Sequence, residues 1–173
     1  MLWRGLGLFV VGYTSTSETD IVEYHALFLI NLNSMGMNDE KSNPANWDRV
    51  TILVADDNYT CFILVKEILS QTKVKLIYVD NGFKAVKICY TQTVDLVIMD
   101  LRMPVLDGYN ATIQIKKFLP QIPIIAVSAC AMKTDIIRSK ETGFDDYLAK
   151  PIEIDILLNK IACLLHLEKA NWY

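Results

Sequence analysis

From Arg49 onward the chain alternates short β-branched apolar runs with amphipathic stretches. Thr51–Ala55 (TILVA) is a continuous apolar run that ends against two acids. Over Thr60–Ser70, Ile63, Leu64, Ile68 and Leu69 recur at the spacing of a helix face. Lys75–Val79 (KLIYV) reads as a strand and Gly82–Tyr90 as a helix. Leu96–Met99 (LVIM) is too short and too apolar for a half-exposed strand. Tyr109–Phe118 is helical, with Ile113 and the Lys116–Lys117 pair on different faces. Ile124–Val127 is a fourth strand behind Pro120 and Pro123. Lys133–Lys140 is a helix closed by Gly143, where a left-handed cap favours glycine. Tyr147–Ala149 is the fifth strand, and Ile154–Leu165 the last helix.

Five strands alternating with five helices predict an α/β fold, a parallel sheet covered on both faces. Right-handed crossovers leave few topologies, and the leading one is the flavodoxin-like (βα)5 doubly wound sheet with strand order 2-1-3-4-5. Ahead of this regular part, residues 1–33 are apolar and weakly periodic. The stretch Ser34–Asp48 (SMGMNDEKSNPANWD) has the Gly, Asn, Pro and Ser content of a linker. The expected organisation is an ill-defined segment over 1–33, a linker over 34–48 and a domain over 49–168.

Composition narrows the function classes. Of the 173 residues 52% are apolar and 21% charged, so a core can form and a disordered class is excluded. A formal charge of −3 gives no electrostatic footprint for direct contact with nucleic acid. Cys61, Cys89, Cys130 and Cys163 are scattered, with no CxxC pair, and are expected to be buried or half-buried thiols in a reducing cytosol. No apolar stretch approaches the ~20 residues of a bilayer helix. Met1–Tyr13 has a single Arg and no small-x-small cleavage site, unlike a secretory signal. The expected location is cytoplasmic.

In such a sheet the ligand crevice lies at the carboxyl ends of the strands. Strand one ends in Asp56–Asp57, strand three in Asp100 and strand four in Ser128, while Lys150–Pro151 follows strand five. Crowded carboxylates are costly unless a cation neutralises them. Mg²⁺ (or Mn²⁺) suits one or two carboxylates plus waters and phosphate oxygens. A carboxylate beside such a cation can attack phosphorus and become an aspartyl phosphate. Lys150 can then supply counter-charge and Ser128 a hydroxyl hydrogen bond. Taken singly, the Asp pair is a turn or helix cap, Asp100 a solvated strand end, and Lys150–Pro151 a turn. Their placement at one edge gives them weight together. Asp107 is expected to cap the next helix, with Gly108 easing the backbone beside it.

The segments ILVADDN (52–58), DLVIMDLRMPVLDGYNAT (95–112), PIIAVSACAM (123–132) and GFDDYLAKPI (143–152) resemble the receiver domain of two-component response regulators. The resemblance implies that Asp56, Asp57 and Asp100 hold the metal together with the backbone carbonyl of Arg102. It implies that Asp100 accepts phosphate, Lys150 contacts it, Ser128 senses it, and Tyr147 is the aromatic switch. A cis Lys150–Pro151 bond is a further expectation. The implied phosphodonor is a histidine kinase or phosphotransfer protein, and the signal leaves through the face of helix four, strand five and helix five to a downstream protein. Such a module is a phosphoacceptor rather than an enzyme.

Two other classes compete. An aspartyl-nucleophile phosphatase carries a second Asp two residues after the nucleophile, where this chain has Arg102. An interaction module that has lost phosphorylation would not keep the full acid set. The residues after the last helix are too few for an output domain, so a stand-alone receiver or the C-terminal piece of a hybrid sensor histidine kinase is expected. Arg4–Leu8 (RGLGL) with Phe9–Val11 resembles the last glycine-rich box of a kinase ATP-binding domain, and ANWDRVTILVADDN (45–58) is similar to the junction before a terminal receiver. An irregular apolar leader remains the other reading of this end. Neither His25 nor His166 has the setting of a phosphodonor; both are expected to be structural or solvent-facing.

Overall fold

The computed structural model describes residues 47–129 and 133–167. All of them belong to the second of two units into which the chain divides, Glu40–Tyr173. The readings of Arg4–Leu8, His25 and residues 1–33 lie outside the described residues, as do Cys130 and the end of the chain.

Five strands form one parallel sheet: β1 (Thr51–Ala55), β2 (Lys75–Val79), β3 (Leu96–Asp100), β4 (Ile124–Ser128) and β5 (Asp146–Ala149). Their spatial order is β2-β1-β3-β4-β5, as the alternation predicts. The central strands β3 and β4 are buried at every position, which is why they read as unbroken apolar runs. Fully burying side chains such as Ile124 and Ile125 contributes about 1.5–3 kcal/mol each. At the edge, β2 is half exposed and more polar.

The covering helices are α1 (Tyr59–Ile68), α2 (Gly82–Thr91), α3 (Gly108–Phe118), α4 (Lys133–Thr142) and α5 (Ile154–Leu164). Short polar side chains start three of them. Asn58 accepts from Thr60 N, Asn81 from Lys84 N and Asp107 from Asn110 N, satisfying first-turn donors. Asp107 is therefore the cap that the sequence predicts. After α4, Gly143 adopts φ 104°, Phe144 N donates to Ser139 O and Gly143 N to Lys140 O, the paired bonds of a glycine-closed helix end.

Two details differ from the sequence reading. On α1 the fully buried residue is Val65, joined by Ile68 and Leu69, whereas Ile63 and Leu64 are only half-buried. The helix is apolar on several sides, so periodicity alone does not select its inward face. The folded unit also reaches back into the expected linker. Trp47 is 3% exposed and its backbone N–H donates to Thr72 O. Of the described cysteines Cys89 is buried and Cys61 half-buried, but Cys163 is exposed, and all three are free thiols.

Candidate acidic phosphoacceptor site

Strand register assembles the site. Ala55 pairs with Met99, which brings Asp56 level with Asp100; Ser128 pairs with Ala149, which places Lys150 one residue further along. The backbone N–H of Lys150 donates to Ser128 O at 2.8 Å and locks this edge. The Lys150–Pro151 peptide is cis, as expected.

Asp56, Asp57 and Asp100 form one cluster, with a carboxylate oxygen from each within 4.8 Å of the others. Asp56 and Asp100 are buried and Asp57 is exposed. Such a set of hard oxygen donors fits a small divalent cation. Lys150 Nζ bridges the buried pair, 2.8 Å from Asp56 Oδ2 and 2.8 Å from Asp100 Oδ1. The remaining oxygens are held by main chain: Asp56 Oδ1 accepts from Asn58 N at 2.9 Å, and Asp100 Oδ2 from Arg102 N at 2.8 Å. Each buried carboxylate is thus fixed at both oxygens.

Burial raises the Asp100 pKa above its ordinary value, although the Lys150 hydrogen bond and charge pull it down, and Asp56 pushes it up further. For Lys150, burial works to lower the pKa, but hydrogen bonds to Asp100 and Asp56 outweigh it and hold the ammonium charged well above its usual value. Cys61, on the first turn of α1, belongs to the same electrostatic neighbourhood. Burial first, then Asp56, pushes its thiol up to about 12, so it stays protonated.

The loop after Asp100 runs within van der Waals limits of the acceptor strand. A Cβ on Gly108 would lie 2.2 Å from Asp100 O. Gly82 is equally tight, since a Cβ there would lie 2.4 Å from Leu106 O, which accepts the Gly82 N–H. Glycine at these two positions lets α2 and α3 seat against the loop. Between them Val105 adopts φ 69°, a left-handed conformation rare for a β-branched residue, with 84% of its surface exposed.

Of the seven residues singled out from the sequence, Asp56, Asp57, Asp100 and Lys150 come together directly. Arg102 contributes its backbone N–H to Asp100, an interaction the sequence reading did not include. Ser128 is buried at the end of β4. Tyr147, opposite Ala126 on β5, is half-buried against the core. His166 is exposed after α5. Asn58 and Cys61 were missed. An Asn two residues after an acid at a helix start is a legible turn signal, whereas nothing in the sequence marks Cys61.

Comparison with known proteins agrees with this geometry. Residues 52–162 match the response regulator receiver domain family. The chain is 36% identical over 106 residues to the sensor histidine kinase GacS of Pseudomonas protegens, covering 58% of this chain and 12% of that protein. It is 34% identical over 124 residues to the peroxide stress-activated histidine kinase mak1 of Schizosaccharomyces pombe, covering 67% of this chain and 8% of that protein. The chain therefore spans only a small part of these relatives. Among solved structures it is similar to the receiver domain of a Pseudomonas aeruginosa sensor histidine kinase with magnesium coordinated in its active-site cleft (TM-score 0.63, 32% identity, 68% of this chain and 98% of that one). It is also similar to a Saccharomyces cerevisiae co-crystal of the phosphotransfer protein Ypd1 with the receiver domain of Ssk1 (TM-score 0.62, 29% identity, 65% of this chain and 86% of that one). Sheet order, acidic cluster and matched segment agree: the chain belongs to the response regulator receiver domain family of two-component signalling.

Proposed function

We propose that Asp100 is the phosphate acceptor of a phosphorelay and that residues 49–168 constitute the receiver, with the linker of residues 34–48 packed onto it at Trp47. The observation that carries this reading is the double ion pair of Lys150 with Asp56 and Asp100, which sets one cation over a buried carboxylate fixed at both oxygens. A carboxylate oxygen of Asp100 attacks phosphorus, the P–N bond of a donor phosphohistidine breaks, and its electron pair leaves with the imidazole. The donor is a histidine kinase or phosphotransfer protein, in keeping with the Ypd1 complex of the yeast neighbour.

Asp56, Asp57 and Asp100, with the Arg102 carbonyl, are the residues that would hold Mg²⁺ or Mn²⁺. Bound there, the metal would neutralise charge on the carboxylates and on the phosphoryl oxygens. Lys150 supplies the second cation, and Ser128 donates its hydroxyl to a phosphoryl oxygen. Tyr147 follows that hydroxyl inward and alters the face of α4, β5 and α5 that meets a downstream protein, a two-state bias. We place this chemistry in the cytoplasm, with no direct contact to nucleic acid. At the position where an aspartyl phosphatase has its second acid this chain has Arg102, whose guanidinium stays protonated and cannot act as the second general acid–base, which disfavours that reading.

The test is labelling by acetyl phosphate with Mg²⁺. The parent is expected to take up one phosphoryl group, and Asp100→Asn none. Stoichiometric labelling of Asp100→Asn would sink the assignment.

A further inference from the structure

We propose that the outer side of α2 and α3 is a peripheral docking face for a bilayer surface rich in anionic phospholipid. Phe83 and Tyr90 are 61% and 78% exposed, and their seven-residue spacing places them on one side of α2, with Lys87 between them. The stripe crosses to α3, where the Tyr90 ring meets Phe118 edge-on at 5.7 Å. Lys117 stands next to Phe118 and is exposed. Neither helix contains an acid, although the chain as a whole carries −3. Lys84 is paired with Asp80 and Lys116 with Asp145, but Lys87 and Lys117 have no ion pair among the described residues.

Charge and the exposed rings select the occupant. A basic face on an acidic protein seeks an anionic partner. The edge-on Tyr90–Phe118 contact joins the C-terminal ends of α2 and α3, so the exposed rings form one stripe across both helices. Exposed aromatic rings interleaved with lysines match the headgroup region of a membrane, where rings insert and ammonium groups meet phosphate. The topology also keeps the Tyr90–Phe118 end of this contact apart from phosphate chemistry, with Phe83 at the near end of the stripe. Both helices start at the edge that carries Asp100 and run back to the opposite edge, so Tyr90 and Phe118 lie at the far end. Docking there leaves Asp57 open to a phosphodonor.

Flotation of the full chain with vesicles tests this. Phosphatidylcholine vesicles with about 30% phosphatidylglycerol should carry the protein, and phosphatidylcholine alone should not. Binding should fall about fivefold for each of Lys87→Gln and Lys117→Gln, and should weaken as salt shortens the screening length. Tyr90→Ser with Phe118→Ser should abolish it. All four substitutions should leave acetyl-phosphate labelling intact, which reports a folded receiver and separates this test from the Asp100 assignment. No flotation with anionic vesicles, equal flotation with neutral ones, or binding that survives the substitutions would overturn the proposal. A concentration-dependent dimer lost in the same variants, without flotation, would overturn it in favour of a protein contact.

Discussion

Lys150 reaches across 94 residues of sequence to place Nζ 2.8 Å from Asp56 Oδ2. The same nitrogen is 2.8 Å from Asp100 Oδ1, so one ammonium serves two buried carboxylates. This bridge joins the fold to its chemistry, because it ties the end of β1 and the end of β3 to the segment after β5. Its removal leaves two buried acids without a counter-charge, and breaking a buried pair is costly. Lys150 is itself partly exposed, which reduces the effect to roughly 1–3 kcal/mol. Lys150→Met is expected to lower metal-free stability in urea unfolding at neutral pH by that amount. Mg²⁺ should restore more stability to the variant than to the parent, because the metal replaces the missing cation. Calorimetric Mg²⁺ titration checks this, and weaker Mg²⁺ binding by the variant would contradict it.

The Asp100 carboxyl has a raised pKa in the fold, chiefly through burial. Its contribution to stability is therefore fully present below the unfolded carboxylate pKa and is lost as pH rises through the higher folded value. Ionising the buried group carries a cost, because Lys150 is shared with Asp56. Asp100→Asn leaves a one-to-one pair of Lys150 with Asp56. Metal-free, this variant is expected to melt ~3–5 °C higher at pH 7, on the order of 1 kcal/mol. The gain should shrink as pH falls through the folded Asp100 pKa towards the ordinary carboxyl value of 3.8. Melting curves across that range decide it, and a gain that grew on acidification would contradict the sign.

The fold was legible almost entirely, and the reason is physical. Buried parallel strands such as Leu96–Asp100 and Ile124–Ser128 must be unbroken apolar runs, and the β-α alternation then restricts topology. The acids and Lys150 were legible because they end those runs. What stayed hidden depends on three-dimensional proximity. No pattern in the sequence says that Lys150 binds both Asp56 and Asp100, that Arg102 N–H holds Asp100 Oδ2, or that Cys61 neighbours Asp56. The inward side of α1 was misjudged for a related reason: a helix apolar on several sides carries no periodic signal to separate Val65 from Ile63.

Gly108 was expected to ease the backbone at a helix start; the stronger constraint is the Asp100 carbonyl. An added Cβ would stand 2.2 Å from that oxygen, which belongs to a buried strand and has nowhere to move. Gly108→Ala is expected to destabilise the domain by about 2–3 kcal/mol through overpacking and to displace the acceptor loop. Gly82→Ala meets Leu106 O at 2.4 Å and should cost a similar amount. Only the Gly108 variant presses on the acceptor residue itself. Labelling of its folded fraction by acetyl phosphate should therefore fall more than labelling of the Gly82 variant, with both fractions measured by urea titration.

Val105 offers the opposite manipulation in the same loop. At φ 69° its branched side chain opposes the backbone, a conformation that costs roughly 1–2 kcal/mol for an L-residue and much less for Asn or Gly. Its side chain is 84% exposed, so little packing is lost on substitution. Asn retains more backbone order than Gly in the unfolded chain and is the better replacement. Val105→Asn is expected to stabilise the domain by about 0.5–1 kcal/mol in urea unfolding. Asp100 itself should be unaffected, because its neighbour Leu101 is anchored on both sides: Leu101 N donates to Val127 O at 3.0 Å, and Leu101 O accepts from Gly108 N at 3.2 Å. Labelling by acetyl phosphate should then stay close to the parent rate. A stabilised variant with sharply reduced labelling would mean that the strained loop itself, and not only the anchored carboxylate, takes part in phosphoryl transfer.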